Sequence, residues 1–98
     1  MKKKEYMTLE DFDKALNITD EQKAEIQLEV DIIQATIEVR KKKNLSQRDL
    51  SKLSGVTQPT IARIERRKVV PDTSTLIRML HPMGYTIRVV PLDKTTIY

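Results

Sequence analysis

The residues best suited to recognising a ligand lie together between positions 57 and 68. Gln58, Thr60 and Arg63 fall on the polar side of a predicted helix, and all three carry hydrogen-bond donors. Such side chains can meet base edges in the major groove of DNA, which admits one α-helix, and arginine can pair in bidentate fashion with guanine. This pattern predicts a helix that reads double-stranded DNA.

A wider set of polar side chains around this helix is expected to contact DNA. Arg63 is the candidate for guanine, although a solvated helix arginine is the alternative role. Gln47 lies in the first turn of the preceding helix, where its side chain can reach a phosphate or a base edge. The predicted DNA-binding residues are Gln47, Thr57, Gln58, Thr60, Arg63, Arg66, Arg67 and Lys68.

Two short helices joined at a glycine are predicted to position these side chains. Ser46 and Asp49 fit a capping box at the start of the first helix. Thr57 caps the second helix, and Pro59 falls in its first turn, where a missing amide does little harm. Gly55 lies between them, where a positive φ costs glycine little. The apolar residues expected to hold the pair together are Leu50, Val56, Ile61 and Ile64.

Further helices are predicted on either side of this pair. Thr19 caps a long helix that is expected to run to about Lys43. Another helix is expected from Thr73 to about Met83, shortened by Pro82. The long helix carries an apolar stripe at helical spacing, formed by Ile26, Val30, Ile33 and Ile37.

Charge is distributed unevenly along a chain whose net charge is +4. Between Glu5 and Val30 there are eight acids and two lysines, whereas from Asp31 onward 13 lysines and arginines outnumber six acids. An acidic segment joined to a basic domain suggests two partners, and solvated helix faces are the alternative. The basic run from Arg40 to Lys43 has two readings as well, because it can complement the helix dipole or contact phosphates.

The chain changes to a two-residue period after Gly84, which predicts one strand that ends at Pro91. A lone strand cannot satisfy its own backbone groups, so it is expected to pair with the same strand of a second copy. Such a homodimer would hold two DNA-reading helices about 34 Å apart, the spacing of successive major grooves. The predicted dimerisation residues are Tyr85, Ile87 and Val89.

Composition argues against several functional classes. The 98 residues allow one domain, and the lack of cysteine excludes disulfides, thiolate metal sites and cysteine nucleophiles. His81 is the single histidine and cannot form a zinc site alone, while two glycines are too few for a phosphate-binding loop. No apolar run reaches the roughly 18 residues of a membrane span. The expectation is a cytoplasmic, non-enzymatic protein with no cofactor, metal or membrane partner.

The unit from Gln47 to Arg66 resembles the helix-turn-helix of the Cro and lambda-repressor-like (XRE) family. The residues that carry the resemblance are Gln47, Leu50, Gly55, Val56, Ile61 and Ile64. Ser51 stands where alanine is usual, and Arg67 stands where glycine usually ends the recognition helix, so that helix is expected to end differently or run slightly longer. The resemblance implies a mainly α bundle of about five helices that acts as a sequence-specific repressor.

The layout of the whole chain resembles antitoxins of the HigBA toxin and antitoxin class. The predicted organisation is a tail and short acidic helix over 1–18, the DNA-binding domain over 19–84, and a strand and tail over 85–98. The resemblance implies a dimer that inhibits a small basic HigB/RelE-like toxin, which cleaves messenger RNA, and that represses its own operon. A stand-alone XRE-family regulator is the alternative. The residues assigned to toxin contact are Leu9, Asp11, Phe12, Asp13 and Leu16, and an ordinary core contact is the alternative role for Phe12.

Overall fold

Four α-helices and a short 3-10 turn follow one another in the computed structural model, which describes residues 17–92. The α-helices are α1 (Asp20–Lys42), α2 (Gln47–Ser54), α3 (Gln58–Glu65) and α4 (Thr73–Leu80), and the turn is His81–Met83. The short helix predicted near Thr8 lies outside the described residues, and so do the residues assigned to toxin contact. The mainly α class is confirmed, while the count of about five helices stays a prediction.

Each helix begins at a side-chain cap. In the capping box of α1, Thr19 accepts a hydrogen bond from the Gln22 amide at 3.1 Å, and Gln22 accepts one from the Thr19 amide at 2.8 Å. Ser46 and Asp49 form the same reciprocal pair at α2, at 3.0 and 2.9 Å. These bonds satisfy amides that the first turn of a helix leaves without partners. The N-cap residues of the four helices are Thr19, Ser46, Thr57 and Asp72.

Left-handed residues and one proline end the elements. Gly55 closes α2 with a φ of 76°, and Gly84 closes the 3-10 turn with a φ of 87°. Asn44, after α1, has a φ of 58°, as its tolerance of left-handed dihedrals predicts. Pro82 lies just beyond α4, which stops at Leu80 and continues only as the 3-10 turn. The predicted early end of this helix is confirmed.

The core lies where the three short helices meet the second half of α1. The predicted burial of α2 and α3 against each other is confirmed, because Leu50 and Ile61 are fully buried and Ile64 nearly so. From α4 and the 3-10 turn, Leu76, Met79 and Met83 are buried. The described core cluster comprises Ile33, Leu50, Val56, Ile61, Ile64, Met79, Leu80 and Met83.

The apolar stripe of α1 is buried over only part of its length. Ile33 is buried and Ile37 packs against the core, but Ile26 is 50% exposed. The cause is length, because the 23 residues of α1 span about 34 Å while helices of eight residues span about 12 Å. The short helices therefore cover the second half of α1 and leave much of the first half open. No helix between residues 17 and 92 is long and apolar enough to cross a membrane.

The segment after Gly84 has no regular secondary structure in the described part of the single chain. Tyr85 donates its amide to Leu80 O at 3.1 Å, and from there to residue 92 no backbone bond of a ladder follows within the described residues. The predicted strand is thus not formed within one chain, because it has no second strand there to pair with. Tyr85 and Ile87 are 40% and 39% exposed, and Val89 is fully exposed. Pairing of this segment across a dimer stays a prediction.

Candidate nucleic-acid interface

The turn between α2 and α3 fixes the angle at which α3 is presented. Gly55 adopts the left-handed conformation and donates its amide to Ser51 O at 2.9 Å. The Val56 amide is held by the Ser54 hydroxyl at 3.1 Å, and the Val56 side chain is 6% exposed. Thr57 then caps α3. The chain reverses within three residues, and the buried valine holds the two helices together at that corner.

The helix α3 has one buried side and one open side. Ile61, Ala62 and Ile64 are buried, whereas Arg63 is exposed. Of the other predicted DNA-binding residues, Gln58 and Thr60 are half-buried. Residues three and four apart share one face of a helix, so Thr60 and Arg63 lie side by side on the open face.

Two threonine hydroxyls are paired at the start of α3. Thr57 Oγ1 and Thr60 Oγ1 are 2.8 Å apart, and the Thr60 amide also donates to Thr57 Oγ1 at 3.4 Å. Thr57 thus acts first as the helix cap. A hydroxyl has one donor and two acceptor lone pairs, so both threonines keep capacity for a further hydrogen bond.

The amides of two glutamines join the start of α2 to the start of α3. Gln58 Nε2 donates to Gln47 Oε1 at 2.8 Å, and Gln47 Nε2 donates to Glu65 Oε1 at 3.0 Å. Gln47 therefore holds Gln58 in place as well as being available to a ligand itself. Within residues 17–92, one N–H of Gln47 and one N–H of Gln58 remain for a ligand, together with the Gln58 carbonyl oxygen.

A buried ion pair anchors these amides. Arg40 Nε and Nη2 donate to the two carboxylate oxygens of Glu65 at 2.7 and 2.8 Å, and the side chains are 10% and 8% exposed. The third donor, Arg40 Nη1, reaches Leu45 O at 2.7 Å. The fork of a guanidinium matches a carboxylate in this bidentate geometry. The pair therefore joins the end of α1 and the loop after it to the end of α3.

The electrostatics of the pair agree with its geometry. Burial by itself raises the pKa of Glu65, but the hydrogen bonds from Arg40 and Gln47 and the positive charge of Arg40 outweigh it, so this pKa lies below its usual value. The hydrogen bond to Glu65 raises the pKa of Arg40 against the opposing effect of burial. Both groups are therefore charged at neutral pH, as a buried pair requires.

The ion pair gives Arg40 a role outside both interpretations of the basic run at the end of α1. Arg40 is buried and occupied by Glu65 and Leu45, so its role is structural. The three lysines that follow it, Lys41 to Lys43, are exposed beside the start of α2. They remain able to complement the helix dipole or to meet a phosphate.

The end of α3 differs from the usual end of such a helix. The helix stops at Glu65, and Arg67 takes the left-handed conformation with a φ of 59°. The Arg67 amide donates to Ile64 O and the Lys68 amide to Arg63 O, both at 2.9 Å. Arginine thus adopts the geometry that glycine normally supplies, and the helix does not run longer. Arg66, Arg67 and Lys68 are all exposed.

Sequence reasoning missed the ion pair, although the sequence carries a signal for it. Glu65 comes four residues after Ile61, on the apolar side of α3, and Arg40 comes seven residues after Ile33, on the apolar side of α1. Charged residues are rarely fully buried unless they are paired. One acid and one base on two facing apolar stripes therefore indicate a buried pair.

The fold and the exposed face of α3 define a helix-turn-helix protein. Residues 37–90, more than half of the chain, match the family described as helix-turn-helix. The chain therefore belongs to the XRE-type helix-turn-helix family, and the resemblance noted for Gln47 to Arg66 is confirmed.

Several known proteins are similar to this chain. An uncharacterised HTH-type transcriptional regulator of Haemophilus influenzae is 42% identical over 73 residues, or 74% of each chain. The HTH-type transcriptional regulator PuuR of Escherichia coli is 42% identical over 50 residues, which cover 51% of this chain and 27% of PuuR. A solved structure, the toxin–antitoxin module from Streptococcus pneumoniae, has a chain with a TM-score of 0.66 and 37% identity, covering 89% of this chain and 96% of that one.

Proposed function

We propose that this helix-turn-helix regulator is the antitoxin of a type II toxin–antitoxin pair, which neutralises a small basic HigB/RelE-like toxin and represses its own operon. The observation that carries the proposal is the match to the Streptococcus pneumoniae toxin–antitoxin module, which spans nearly the whole of both chains at 37% identity. A shared DNA-reading unit alone would match over a shorter length, as the similarity to PuuR does.

The DNA role is assigned to the open face of α3 and its surroundings. Gln58, Thr60 and Arg63 meet base edges, because Gln58 and Thr60 lie half-buried at the start of the helix and Arg63 is exposed on its open face. Arg66, Arg67 and Lys68 meet phosphates, since they are exposed cations just beyond the helix end. Gln47 supports Gln58 through the 2.8 Å hydrogen bond and presents its free N–H to the backbone of the DNA.

The regulator acts as a homodimer joined through its C-terminal segments. Beyond Tyr85 the backbone makes no hydrogen bond of a ladder within the described residues, and Ile87 and Val89 expose apolar surface. Antiparallel pairing with a second copy supplies the missing backbone partners and covers these side chains. A twofold dimer in turn requires an operator with two related half-sites.

The antitoxin proposal is tested by expressing the chain with the product of the neighbouring gene. The expected result is that the neighbour encodes a small basic protein that arrests growth when expressed alone, and that co-expression of this chain restores growth and yields a purified complex. A control expresses the neighbour with an unrelated helix-turn-helix protein, which restores nothing. Growth arrest that persists despite a folded, expressed chain contradicts the proposal.

A stand-alone regulator is the second candidate, and the similarity to the Haemophilus influenzae regulator over 74% of each chain favours it. The two candidates make different predictions for the neighbouring gene. A stand-alone regulator binds its operator with no protein partner, and the neighbouring product neither arrests growth nor co-purifies. Operator binding by itself is common to both candidates and does not separate them.

A further inference from the structure

The first half of α1 and the loop from Val69 to Pro71 enclose an apolar groove on the surface. It consists of two adjoining depressions of about 180 and 110 Å³, which share Glu29, Ile33 and Val70. We call this surface the α1 groove, and the residues that define it are Ile26, Glu29, Ile33, Val69, Val70 and Pro71. It arises because α1 extends beyond the short helices that form the core.

Several aliphatic side chains of the α1 groove are exposed to solvent. Ile26 is 50% exposed, Val69 41% and Val70 63%. These side chains lie together in one depression rather than singly, since Ile26, Val69 and Val70 line the same part of the groove. Scattered apolar residues are normal on a protein surface, but contiguous ones in a depression mark a place where another molecule binds.

The charge around the groove selects the kind of molecule. Residues 20–31 contain five acids and one lysine, whereas residues 32–92 contain twelve lysines and arginines and four acids. Glu29 lines the groove itself, and Glu25 is exposed one helical turn before it. Arg67 lines the groove as well, one cation beside the one lining acid, so the negative balance comes from the other acids of residues 20–31. The first half of α1, which forms one wall of the groove, therefore favours a basic partner.

Two other occupants fit this charge less well. A second copy placed on the groove by a twofold axis would bring Glu25 and Glu29 toward the same acids of its partner, which like-charge repulsion opposes. Residues 1–16 of the chain itself contain four lysines and four acids, so they carry no net charge to complement the groove. Neither matches the groove as a basic protein does.

We infer that the α1 groove is a docking surface for a small basic protein, which inserts an apolar side chain between Ile26 and Val70 and pairs its own cations with Glu25 and Glu29. The inference rests on the proposed antitoxin role and deepens it, because it places toxin contact on α1 as well as on the residues predicted before position 17. The exposed face of α3 is not part of this surface, so a variant in the groove can be checked for folding by its operator binding.

The test measures the affinity of the full chain for the purified basic protein encoded beside its gene, by isothermal titration. Ile26→Lys is compared with Ile77→Lys, since Ile77 is 44% exposed on α4 and lines none of the described grooves. Glu25→Lys is compared with Glu38→Lys, another exposed glutamate of α1. We expect Ile26→Lys to weaken binding at least tenfold and Glu25→Lys about fivefold, with both controls within twofold of the wild type.

Each contrary outcome has its own meaning. A wild-type chain that binds no such protein overturns both this inference and the proposed antitoxin role. If the wild type binds and Ile26→Lys binds as well as Ile77→Lys, the docking surface is wrong and the antitoxin role stands. The inference is also overturned if Ile26→Lys alone changes the oligomeric state in sedimentation velocity, because a second copy then fills the groove. It is overturned too if Ile26→Lys lowers the melting temperature of the free chain far more than Ile77→Lys, because the chain's own residues then fill it.

Discussion

Arg63 is the residue on which sequence-specific recognition is expected to depend most. It is exposed on the open face of α3, while the neighbouring Ala62 and Ile64 are buried and fix the orientation of the helix. If Arg63 pairs with guanine, Arg63→Ala costs about 1 to 3 kcal/mol of binding free energy on the operator and little on unrelated DNA. Fluorescence anisotropy with both DNAs measures the difference.

The matched control for Arg63 is Arg78→Ala. Arg78 is an exposed arginine of α4 whose Nη2 donates to Ser74 Oγ at 3.4 Å. Arg78→Ala lowers the net charge by the same amount as Arg63→Ala and leaves every side chain of α3 unchanged. Equal losses in the two variants would show that Arg63 contributes only its charge.

Arg67 combines an unfavourable backbone conformation with a favourable position for its charge. A left-handed conformation costs a residue with a Cβ about 1 kcal/mol, whereas glycine adopts it freely. Arg67→Gly is therefore expected to raise the free energy of unfolding by up to about 1 kcal/mol and to weaken DNA binding at low salt. Chemical denaturation and a salt titration of operator binding give the two results, and a loss of stability would contradict the assigned strain.

For single residues, local roles such as helix caps were predicted from the sequence, whereas hydrogen-bond partners far along the chain were not. The caps Thr19, Ser46 and Thr57 are determined by neighbours within one turn, so local pattern sufficed to find them. The bond between Gln47 and Glu65 joins residues 18 positions apart and depends on the packing of two helices. No local pattern contains that information.

The ion pair of Arg40 and Glu65 joins the end of α1 to the end of α3. Its contribution to stability can be tested by a double-mutant cycle. Removing one partner leaves a buried charge alone, so Arg40→Met and Glu65→Leu should each cost about 3 to 5 kcal/mol. The double variant should regain most of that loss, because two apolar side chains then pack where two charges were. Urea denaturation of all four proteins measures the coupling.

Operator binding by the same double variant separates stability from positioning. In this variant Gln47 keeps its hydrogen bond with Gln58 but loses the one to Glu65. The Gln47 amide that supports the start of α3 is then no longer held in place. The expected result is a stable protein with weakened operator affinity. A double variant that is stable and binds as tightly as the wild type would show that the pair serves the fold alone.

Because the pKa of Glu65 is lowered, the stability of the fold depends on pH in acid. A carboxyl group whose pKa is lower in the folded state stabilises the fold above its unfolded pKa, about 4.3 for glutamate, and this contribution is lost as pH falls through the folded value. Asp49 and Asp72, with pKa values lowered by their hydrogen bonds to Ser46 and Thr75, shift stability in the same direction. We expect the free energy of unfolding to fall with pH below about 4.3.

The variant with Arg40→Met and Glu65→Leu provides the comparison for this pH dependence. It keeps Asp49 and Asp72 and lacks only the buried carboxyl group, so its stability should fall less steeply in acid. Urea denaturation at several pH values between about 5 and 2 gives both slopes. Equal slopes would mean that the two exposed caps account for the whole effect.

For the molecule as a whole, the sequence predicted the order of the helices but not how far the core extends. Ile26 and Ile33 belong to one apolar stripe, yet only Ile33 is buried, because burial depends on the length of the helices that pack against α1. Periodicity identifies the face of a helix that is suited to burial and is silent on which part of that face another element covers. The part of the stripe that no other helix covers lines the α1 groove.

The C-terminal segment shows the same limit for a different reason. Its two-residue period is that of a strand, but a strand exists only as part of a pair, and the described single chain supplies no second strand. The groove beside it, about 220 Å³, lies between the second half of α1 and this segment. Its lining includes Ile32, Ala35, Val39, Tyr85 and Ile87.

Dimerisation through this segment can be tested at Ile87, whose side chain lines that groove. In a paired strand, successive side chains point to opposite faces, so Ile87 and Val90 lie on opposite faces. Ile87 lines the groove, whereas Val89 and Val90 lie outside it. Ile87→Asp places a charge in the interface and should shift the protein to monomers in sedimentation equilibrium. It should also weaken operator binding, because one recognition helix binds far less tightly than two linked ones.

The matched control is Val90→Asp, which adds the same charge to the opposite face of the same segment. It is expected to remain dimeric, because Val90, 72% exposed, lies outside the groove. Monomers in both variants would point to a general effect of charge near the C terminus. If Ile87→Asp remains dimeric, the twofold contact lies outside this segment. The predicted spacing of the operator half-sites, which assumes that contact, would then be wrong.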